Sequence, residues 1–320
     1  MNKNKRLTGL EAKHFMHPGD RIGMERMKQF PKVKKIMGGF LEKDFEKEIL
    51  SFIRFEPRQE KKLNDMIFEA CDILAIKNLP KPFMSSDPIP NANSYGNENV
   101  AIVLTSGLID SFSDEEIFTV ISAELGHIKC GHTFYTYAVR KLELPLHIVS
   151  MASMGKAIMG TTLERSLPVW YRRAELSADR AALLVTKSTD FTIKTMMKVA
   201  SGGSDKIFES LSLESFLKKA EEYEKLEKKR MSSGGYKQFI PAKLSSQLWL
   251  SLRASEVIKF YNSDRYKRIL ENDYPEDEEI PEGIYANDIM EKFKEKRQEF
   301  WDVIKRTVAR KDVGKSSDSI

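Results

Sequence analysis

Ser122-Ala-Glu-Leu-Gly-His-Ile-Lys-Cys-Gly-His132 is the stretch from which the fold of this chain can be worked out most directly. A capping box, Ser113-Asp-Glu-Glu116, stands just before it and predicts a helix start, because the serine caps the first amides and the glutamate reaches back. An apolar stripe predicts the buried side of this helix and consists of Ile117, Val120, Ile121 and Leu125. At 3.6 residues per turn, Ala123 and His127 then share a neighbouring face, with Glu124 about 100° from Ala123 around the axis.

The stretch differs by one residue from H-E-x-x-H, a helical motif in which two histidines one turn apart bind zinc. The glutamate after the first histidine is the general base of that motif, and Glu124 and His127 are both present. Ala123 stands where the first histidine is expected. A glutamate three residues before a histidine is common on solvated helices, so the pattern needs support from elsewhere in the chain.

A second helical stretch, Trp170-Tyr-Arg-Arg-Ala-Glu-Leu-Ser-Ala-Asp-Arg-Ala-Ala182, supplies that support. Its Glu175 and Asp179 are four residues apart, so they lie on one face of a helix that Pro168 is expected to begin. A carboxylate on that face could complete a zinc site with His127.

Four segments of the chain together resemble the HtpX-like zinc metallopeptidases, relatives of the CAAX prenyl proteases, in a soluble single-domain form. The resemblance extends over about residues 60 to 260 and rests on Asn91-Ala92, Val103-Leu-Thr-Ser-Gly-Leu-Ile-Asp110, Glu124-Leu-Gly-His-Ile-Lys-Cys-Gly-His132 and Glu175-Leu-Ser-Ala-Asp-Arg180. Four motifs in the same order are much more specific than any one of them. The resemblance implies a gluzincin-like α+β fold, mostly helical, with a small β-sheet beside two site helices.

The resemblance further implies a zinc ion bound by two histidines and one glutamate, with a fourth position open to water. Carried over by position, the ligands are His127, Glu175 and the residue at 123, which is Ala123. Glu124 is then the general base, and Asp179 orients a ligand histidine from outside the coordination sphere.

A polypeptide substrate, by the same resemblance, lies extended along an edge strand and gains main-chain hydrogen bonds there. Asn91 and Ala92 would line that strand, although an asparagine here is equally typical of a polar turn before a strand. Relatives often have His-Pro shortly before an arginine that matches Arg253, whereas this chain has Leu248-Trp249. No oxyanion-stabilising residue is therefore assigned.

Alanine at position 123 changes what the site is expected to do. A methyl group cannot coordinate zinc, and disturbing merely an outer partner of a ligand already costs about 10- to 100-fold in metal affinity or activity. One zinc ion is therefore expected, bound weakly or not at all. His132 is a poor substitute, because on a continued helix it would be rotated roughly 140° from His127, so an outer or packing role is expected.

Two histories are compatible with Ala123: a natural pseudopeptidase, or an active enzyme whose ligand was replaced deliberately. The joint retention of Glu124, His127, Glu175 and Asp179 favours a recent or engineered loss. Three functional hypotheses stay open. They are an impaired zinc endopeptidase, a module that binds an extended peptide or partner without cutting it, and a helical scaffold with no metal history.

Length and composition set the broad class. With 320 residues, of which 41% are hydrophobic, the chain can bury a large core. The net charge of +5 is small and its charges are interspersed, so no nucleic-acid partner is expected. Cys71 and Cys130 lie in apolar helical patterns, which favours free buried thiols in a reducing compartment. The amino terminus is polar and basic with no apolar run behind it, and this predicts cytoplasmic residence.

The chain divides into an N-terminal helical segment (1–58) that packs on the core, a metallopeptidase-like domain (59–310) and a tail (311–320) that is expected to be disordered. Apolar spacing predicts an amphipathic helix over residues 59–76. Residues 83–105 predict short strands of a small sheet.

Two further features call for a structural explanation. The apolar segment 144–160 is too short and interrupted to span a bilayer, so no transmembrane span is expected. A buried or loop-lining segment is the favoured interpretation, and a peripheral membrane contact is the alternative. His14 and His17 form an isolated H-x-x-H, which predicts a surface or capping feature rather than a metal site. The oligomeric state cannot be read from the sequence.

Overall fold

The computed structural model describes residues 6–28, 42–55, 61–96, 99–143, 162–219, 222 and 246–276. Within these ranges the chain is mostly helical and carries one four-stranded sheet, so the α+β class expected from the sequence is confirmed. The apolar segment 144–160 and the tail 311–320 lie outside the described residues. The division of the chain at residues 58 and 310 stays a prediction. In the ranges given above, no helix combines the length and the hydropathy that a membrane crossing requires.

Helices make up most of the described chain. In chain order the helices labelled below are α1 (Ala12–Phe15), α2 (Pro18–Lys28), α3 (Lys61–Ile73), α4 (Ser106–Ser111), α5 (Asp114–Cys130), α6 (Thr133–Glu143), α7 (Thr162–Thr186), α8 (Thr189–Ala200), α9 (Asp205–Ser210), α10 (Ser246–Asn262) and α11 (Asp264–Leu270). Residues 42–49 and 213–219 are also helical. The amphipathic helix expected over 59–76 is α3, which buries Ile67, Ala70, Cys71 and Ile73.

The sheet consists of β1 (Ile53–Arg54), β2 (Lys81–Ser85), β3 (Ala92–Tyr95) and β4 (Ala101–Thr105) in the order β1-β2-β4-β3. The β2–β4 pair is parallel, whereas β1–β2 and β3–β4 are antiparallel. Every residue of β4 is buried, which suits the continuous apolar run of a central strand. β3 is an edge of this sheet and packs against α5.

α5 starts and stops where its sequence dictates. Ser113 and Glu116 form the predicted capping box, with the Glu116 N–H donating to Ser113 Oγ and the Ser113 N–H donating to Glu116 Oε2 at 2.8 Å. At the other end, Gly131 adopts φ 72°, a left-handed conformation that glycine reaches without a steric penalty. The turn breaks the helix before His132, so His132 leaves the helical path assumed for it in the sequence.

α5 and α7 pack along each other with an unusually close approach. A Cβ built on Gly126 would lie 2.7 Å from the Ala181 Cβ and 3.0 Å from the Ala178 Cα. The absence of a side chain at Gly126 therefore lets the backbones of the two helices come together.

The expected start of α7 at Pro168 is wrong, because the helix begins at Thr162. Pro168 thus lies inside the helix, where its ring removes one backbone donor and is normally disfavoured. The expectation for the thiols is confirmed, since Cys71 and Cys130 are both buried and free.

Candidate metal and active site

A cleft of ≈ 120 Å³ opens between α5, α7, α8, α10 and the beginning of β3. A water molecule needs about 10–15 Å³ of such volume, so the cleft has room for several waters or for an ion with its waters. All the site residues expected from the sequence line it, namely Asn91, Ala92, Ala123, Glu124, His127, Glu175 and Asp179. The fold therefore brings these side chains together, while the role of each stays a prediction.

His127 of α5 and Glu175 of α7 converge on one point of this cleft. Their Nε2 and Oε1 atoms are 3.4 Å apart, and both side chains are largely buried. Two donors bound to one tetrahedral zinc at about 2.0–2.2 Å lie roughly 3.3–3.5 Å from each other, so this pair fits a shared ion. Ala123, one turn before His127, presents a methyl group where a third donor would stand. The residues present thus fit zinc at two of the three protein positions.

Burial on its own lowers the pKa of His127. The hydrogen bond and the negative charge of Glu175 outweigh burial, so the pKa of His127 is raised above its ordinary value. Glu175 shows the complementary behaviour: burial favours a higher pKa for its carboxyl, but Arg253 and His127 hold that pKa well below the ordinary value. The Glu175 carboxylate is consequently kept ionised and ready to act as a ligand.

Glu124 lies beside this pair and has a different electrostatic environment. Burial raises the pKa of its carboxyl, a nearby Glu175 raises it further, and the charges of His127 and Arg140 together with a Ser94 hydrogen bond oppose the rise. A carboxyl group with a raised pKa is suited to accept a proton and give it back.

Arg253 of α10 connects the two acidic residues of α7. Its Nε donates to Asp179 Oδ2 at 2.7 Å and its Nη2 to Asp179 Oδ1 at 2.6 Å, while Nη1 lies 2.7 Å from Glu175 Oε2. Asp179 therefore contacts an arginine in this chain, whereas the sequence predicts that it orients a ligand histidine. That role for Asp179 stays a prediction, because alanine occupies the position of the histidine concerned.

Asn91 and Ala92 form the turn into β3 as well as part of the cleft. The Asn91 N–H donates to Thr105 Oγ1 at 2.8 Å, and Asn91 Oδ1 accepts from the Ala92 N–H at 2.9 Å. The polar-turn interpretation of Asn91 thus has a structural basis. Its location at the edge strand beside Glu124 is also the one that peptide binding requires, so both interpretations stand.

The sequence predicts an outer or packing role for His132, but not the buried polar group that His132 forms with Asp20 behind His127. His132 Nδ1 lies 3.0 Å from His127 Nδ1, and His132 Nε2 lies 3.0 Å from Asp20 Oδ2. Asp20 in turn accepts hydrogen bonds from Trp170 Nε1 at 2.9 Å and from Ser177 Oγ at 2.5 Å. Neither periodicity nor spacing connects residue 20 with α5. The one local signal that could have indicated such a group is the seven-residue spacing of Trp170 and Ser177 in α7, which puts two donors on one face.

Asp20 and His132 also form, with Cys130, a group whose potential ligand atoms all lie within 4.8 Å of one another. Asp20 is already engaged by Trp170 and Ser177, as described above. In addition, burial and the charge of Asp20 raise the pKa of the Cys130 thiol, which disfavours the thiolate that a metal would need.

The H-x-x-H near the amino terminus has a capping function. His14 Nδ1 accepts from the Glu11 N–H at 3.0 Å, and His17 Nδ1 accepts from the Gly19 N–H at 3.1 Å. His14 is nevertheless buried and stacks on Tyr274 with ring centroids 4.4 Å apart, so the alternative of a surface feature is wrong for this residue.

Comparisons with known proteins show what the chain is similar to. A family model described as Peptidase family M48 matches residues 57–251. The plastoglobule-localized metallopeptidase 48, chloroplastic, of Arabidopsis thaliana is 31% identical over 271 residues, which cover 82% of this chain and 76% of that protein. No solved structure matches the chain.

More distant relatives match the central part of the chain. A protease HtpX homolog of Dictyoglomus turgidum is 26% identical over 176 residues, covering 47% of this chain and 58% of the relative. Protease HtpX homolog 2 of Methanosarcina mazei is 31% identical over 173 residues, covering 45% of this chain and 56% of the relative.

The cytoplasmic location expected from the amino terminus is wrong. The Arabidopsis relative, which aligns with 82% of the chain, is a plastoglobule-localized, chloroplastic protein. A polar amino terminus does not identify the compartment in which a protein resides.

Proposed function

The chain belongs to peptidase family M48, and on that premise we propose that it carries the site of a zinc-dependent endopeptidase that Ala123 leaves impaired. One observation supports this proposal above all. The 3.4 Å approach of His127 Nε2 and Glu175 Oε1 has the separation expected of two ligands of one ion, and Glu124 lines the same cleft.

Each residue has a task in this proposal. His127 and Glu175 would hold the zinc, which when bound polarises the scissile carbonyl and lowers the pKa of water. Glu124 takes a proton from water at its carboxylate and delivers it to the leaving amine, a task for which a raised pKa is suitable. Arg253 keeps the Glu175 carboxylate oriented through its ion pair, and Asp179 holds Arg253 in place through a second one.

The substrate would be an extended polypeptide added along the outer edge of β3. Ala92 opens this strand, and both Asn91 and Ala92 line the cleft that holds Glu124. Main-chain hydrogen bonds to an edge strand do not depend on the substrate sequence, so affinity comes from the backbone and selectivity from the neighbouring side chains.

Alanine at position 123 removes one of three protein ligands. Because loss of an outer partner already costs about 10- to 100-fold in affinity, loss of a direct ligand is expected to cost more. The chain should therefore bind zinc weakly and cleave peptides slowly, if at all.

The decisive experiment restores the ligand. The Ala123→His variant, dialysed against zinc, should retain close to one zinc per chain by elemental analysis and should cleave casein. Ala123→Phe is the control, because it adds a ring without a donor and should bind no more zinc than the parent chain. Adding Glu124→Gln to Ala123→His should preserve the zinc and abolish cleavage. An Ala123→His protein that is folded but free of zinc would refute the proposal.

A second candidate function is a module that holds a peptide without cutting it. Ala123 itself favours it, because a methyl group at this position weakens metal binding while the cleft and β3 are present. In that case a catalytically inert peptide should bind the parent chain and its Glu124→Gln variant equally, as measured by fluorescence anisotropy. Absence of peptide binding by the parent chain, together with cleavage by Ala123→His, would exclude this candidate.

A further inference from the structure

We propose that His132, backed by Asp20, is a positioning residue that fixes a hydrogen on Nδ1 of His127 and thereby directs Nε2 of His127 to the metal. This inference rests on the proposed function and deepens it. Because Asp20 belongs to α2, the N-terminal segment of the chain then helps to hold the site residues in place.

Glu175, His127, His132 and Asp20 contact one another in a linear series. Glu175 Oε1 lies 3.4 Å from His127 Nε2, the two Nδ1 atoms of His127 and His132 are 3.0 Å apart, and His132 Nε2 lies 3.0 Å from Asp20 Oδ2. The side chains of Asp20 and His132 are completely buried. Water therefore cannot compete for these contacts, and the polar atoms must satisfy one another.

The hydrogen bonds that Asp20 accepts determine which nitrogen atoms carry hydrogen along this series of contacts. Ser177 Oγ accepts from the His17 N–H at 2.9 Å, so its own hydrogen is directed to Asp20 Oδ2 at 2.5 Å. Trp170 Nε1, which can only donate, points to Asp20 Oδ1. The carboxyl group of Asp20 thus serves as an acceptor at both oxygens.

His132 Nε2 must consequently carry a hydrogen. A bare nitrogen 3.0 Å from an accepting carboxylate oxygen would place two lone pairs against each other in a buried place. The N–H is not well aligned on Oδ2, so the contact is a close charge–dipole contact rather than a strong hydrogen bond. Complete burial disfavours a doubly protonated ring, which leaves the Nδ1 atom of His132 without a hydrogen.

The Nδ1 atom of His127 must then be the donor between the two rings. With Nδ1 committed to His132, Nε2 is the nitrogen of His127 that faces Glu175 and the cleft, and it is the one left to give its lone pair to a metal. A neutral histidine that binds a metal through one nitrogen characteristically donates from the other. The Gly131 turn makes this arrangement possible, because it brings His132 back against the ring five residues before it.

Asp20, Cys130 and His132 do not require a metal of their own in this account. Both Asp20 oxygens already accept from Trp170 and Ser177. His132 uses Nδ1 for His127 and turns Nε2 to Asp20. The contacts that make this group resemble a metal site are therefore explained by the orientation of His127.

The first test needs no metal. In the parent chain labelled with ¹⁵N-histidine, long-range ¹H–¹⁵N spectra should show His127 Nδ1 protonated, with the assignment taken from His127→Gln. His132→Phe should change the ring-nitrogen signals of His127, because it removes the acceptor. His132→Gln should preserve them, since its amide can accept from His127 and donate to Asp20.

The second test measures zinc affinity in the Ala123→His background by competition with a chelating dye. Adding His132→Phe should weaken zinc binding by about 10- to 100-fold, and His132→Gln should restore most of it. His14→Phe is the matched control, because His14 is another buried histidine with a backbone partner and no contact to this group; it should leave the affinity unchanged.

The outcomes separate this inference from the proposed function. If Ala123→His binds no zinc, the proposed function fails, and the ring-nitrogen signals of the parent chain still decide the role of His132. If it binds zinc and His132→Phe changes neither the affinity nor the signals, the role of His132 is overturned while the proposed function stands. Should His132→Phe not fold, Asp20→Asn takes its place, and unchanged His127 signals in that variant overturn the inference.

Discussion

Arg253 and Asp179 form a two-pronged ion pair, with Nε to Oδ2 at 2.7 Å and Nη2 to Oδ1 at 2.6 Å. The remaining nitrogen of the same guanidinium lies 2.7 Å from Glu175 Oε2. One cation thus balances two largely buried carboxylates. Removing one partner from such a group leaves a buried charge uncompensated, and the loss of stability exceeds the stability that the intact group contributes.

Arg253→Met should therefore lower the free energy of unfolding by about 3–5 kcal/mol, because it leaves two carboxylates without their cation. Urea denaturation followed by circular dichroism measures the change. Arg268→Met is the matched control, since Arg268 pairs with Asp273 in an exposed position and its loss should matter little. Equal stability of both variants would contradict the importance assigned to Arg253.

Gly126→Ala tests the close approach of α5 and α7. Helix propensity alone would stabilise the variant by about 1 kcal/mol. Against this, the new Cβ would lie 2.7 Å from the Ala181 Cβ and 3.0 Å from the Ala178 Cα, where a backbone cannot move aside. Overpacking costs about 1–3 kcal/mol, so a net loss of stability is expected from urea denaturation.

The double variant Gly126→Ala with Ala181→Gly is the control for this prediction. It removes the 2.7 Å contact to the Cβ of residue 181 and keeps the one to Ala178. Once the helix-propensity cost of a glycine at 181 is taken into account, its free energy of unfolding should lie between those of Gly126→Ala and the parent chain. A single Gly126→Ala variant that is more stable than the parent chain would show that the helices have room to separate.

Acid should destabilise the fold through the two capping histidines. Burial lowers the pKa of His14, and burial with the nearby charges of Arg180 and Arg173 lowers the pKa of His17 well below its ordinary value. Above a pH of about 6.5 both histidines are neutral in the folded and the unfolded chain, so they add no pH dependence. As the pH falls below that value, the unfolded chain binds protons first, and stability is lost until the folded pKa values are reached.

The melting temperature should thus fall between pH 7 and pH 5. The His14→Gln, His17→Gln double variant, which keeps an acceptor at both caps, should lose less over the same interval. Differential scanning fluorimetry at a series of pH values measures both slopes. Parallel slopes for parent and variant would assign the acid sensitivity to other groups.

Neither cysteine should react with thiol reagents in the folded chain. Burial raises the pKa of Cys71 to about 12, and burial with the charge of Asp20 raises the pKa of Cys130. The thiolate, which is the reactive form, is therefore scarce at pH 8. With Ellman's reagent the native chain should show no rapid reaction, the urea-unfolded chain should show two thiols, and a Ser51→Cys variant should add one that reacts at once. Rapid labelling of the native parent chain would contradict the burial of both thiols.

Local signals made α5 predictable from the sequence. The capping box at Ser113 and Glu116 predicts the start of this helix through contacts between residues that are close in the chain, whereas its end at Gly131 was not predicted. The meeting of His127 with Glu175 was expected from four motifs in a known order, and the resemblance supplied the pairing that periodicity cannot give. Residues 83–105 predict a small sheet, and β3, β4 and most of β2 lie there, whereas β1 was not predicted.

The support behind the site could not be predicted in the same way. Asp20 is separated from Trp170 by 150 residues, and its neighbours suggest only the beginning of a helix. On a continued α5, His132 would be rotated roughly 140° from His127, whereas the left-handed Gly131 turns it back against the His127 ring. The sequence identifies Arg253 only as the position of a matching arginine, because its bidentate contact to Asp179 depends on how α10 packs on α7. Such contacts arise from tertiary packing, and no local pattern encodes them.

The long helix α7 receives both Asp20 and Arg253, and these two residues lie on opposite sides of the segment 57–251 that the family model matches. A fragment trimmed to that segment would lose an acceptor for Trp170 and Ser177 at one end and the counter-charge of Asp179 and Glu175 at the other. The segment that the family model matches is thus shorter than the segment that contains all the residues supporting the cleft. Recombinant versions should therefore run at least from the first helices through α10.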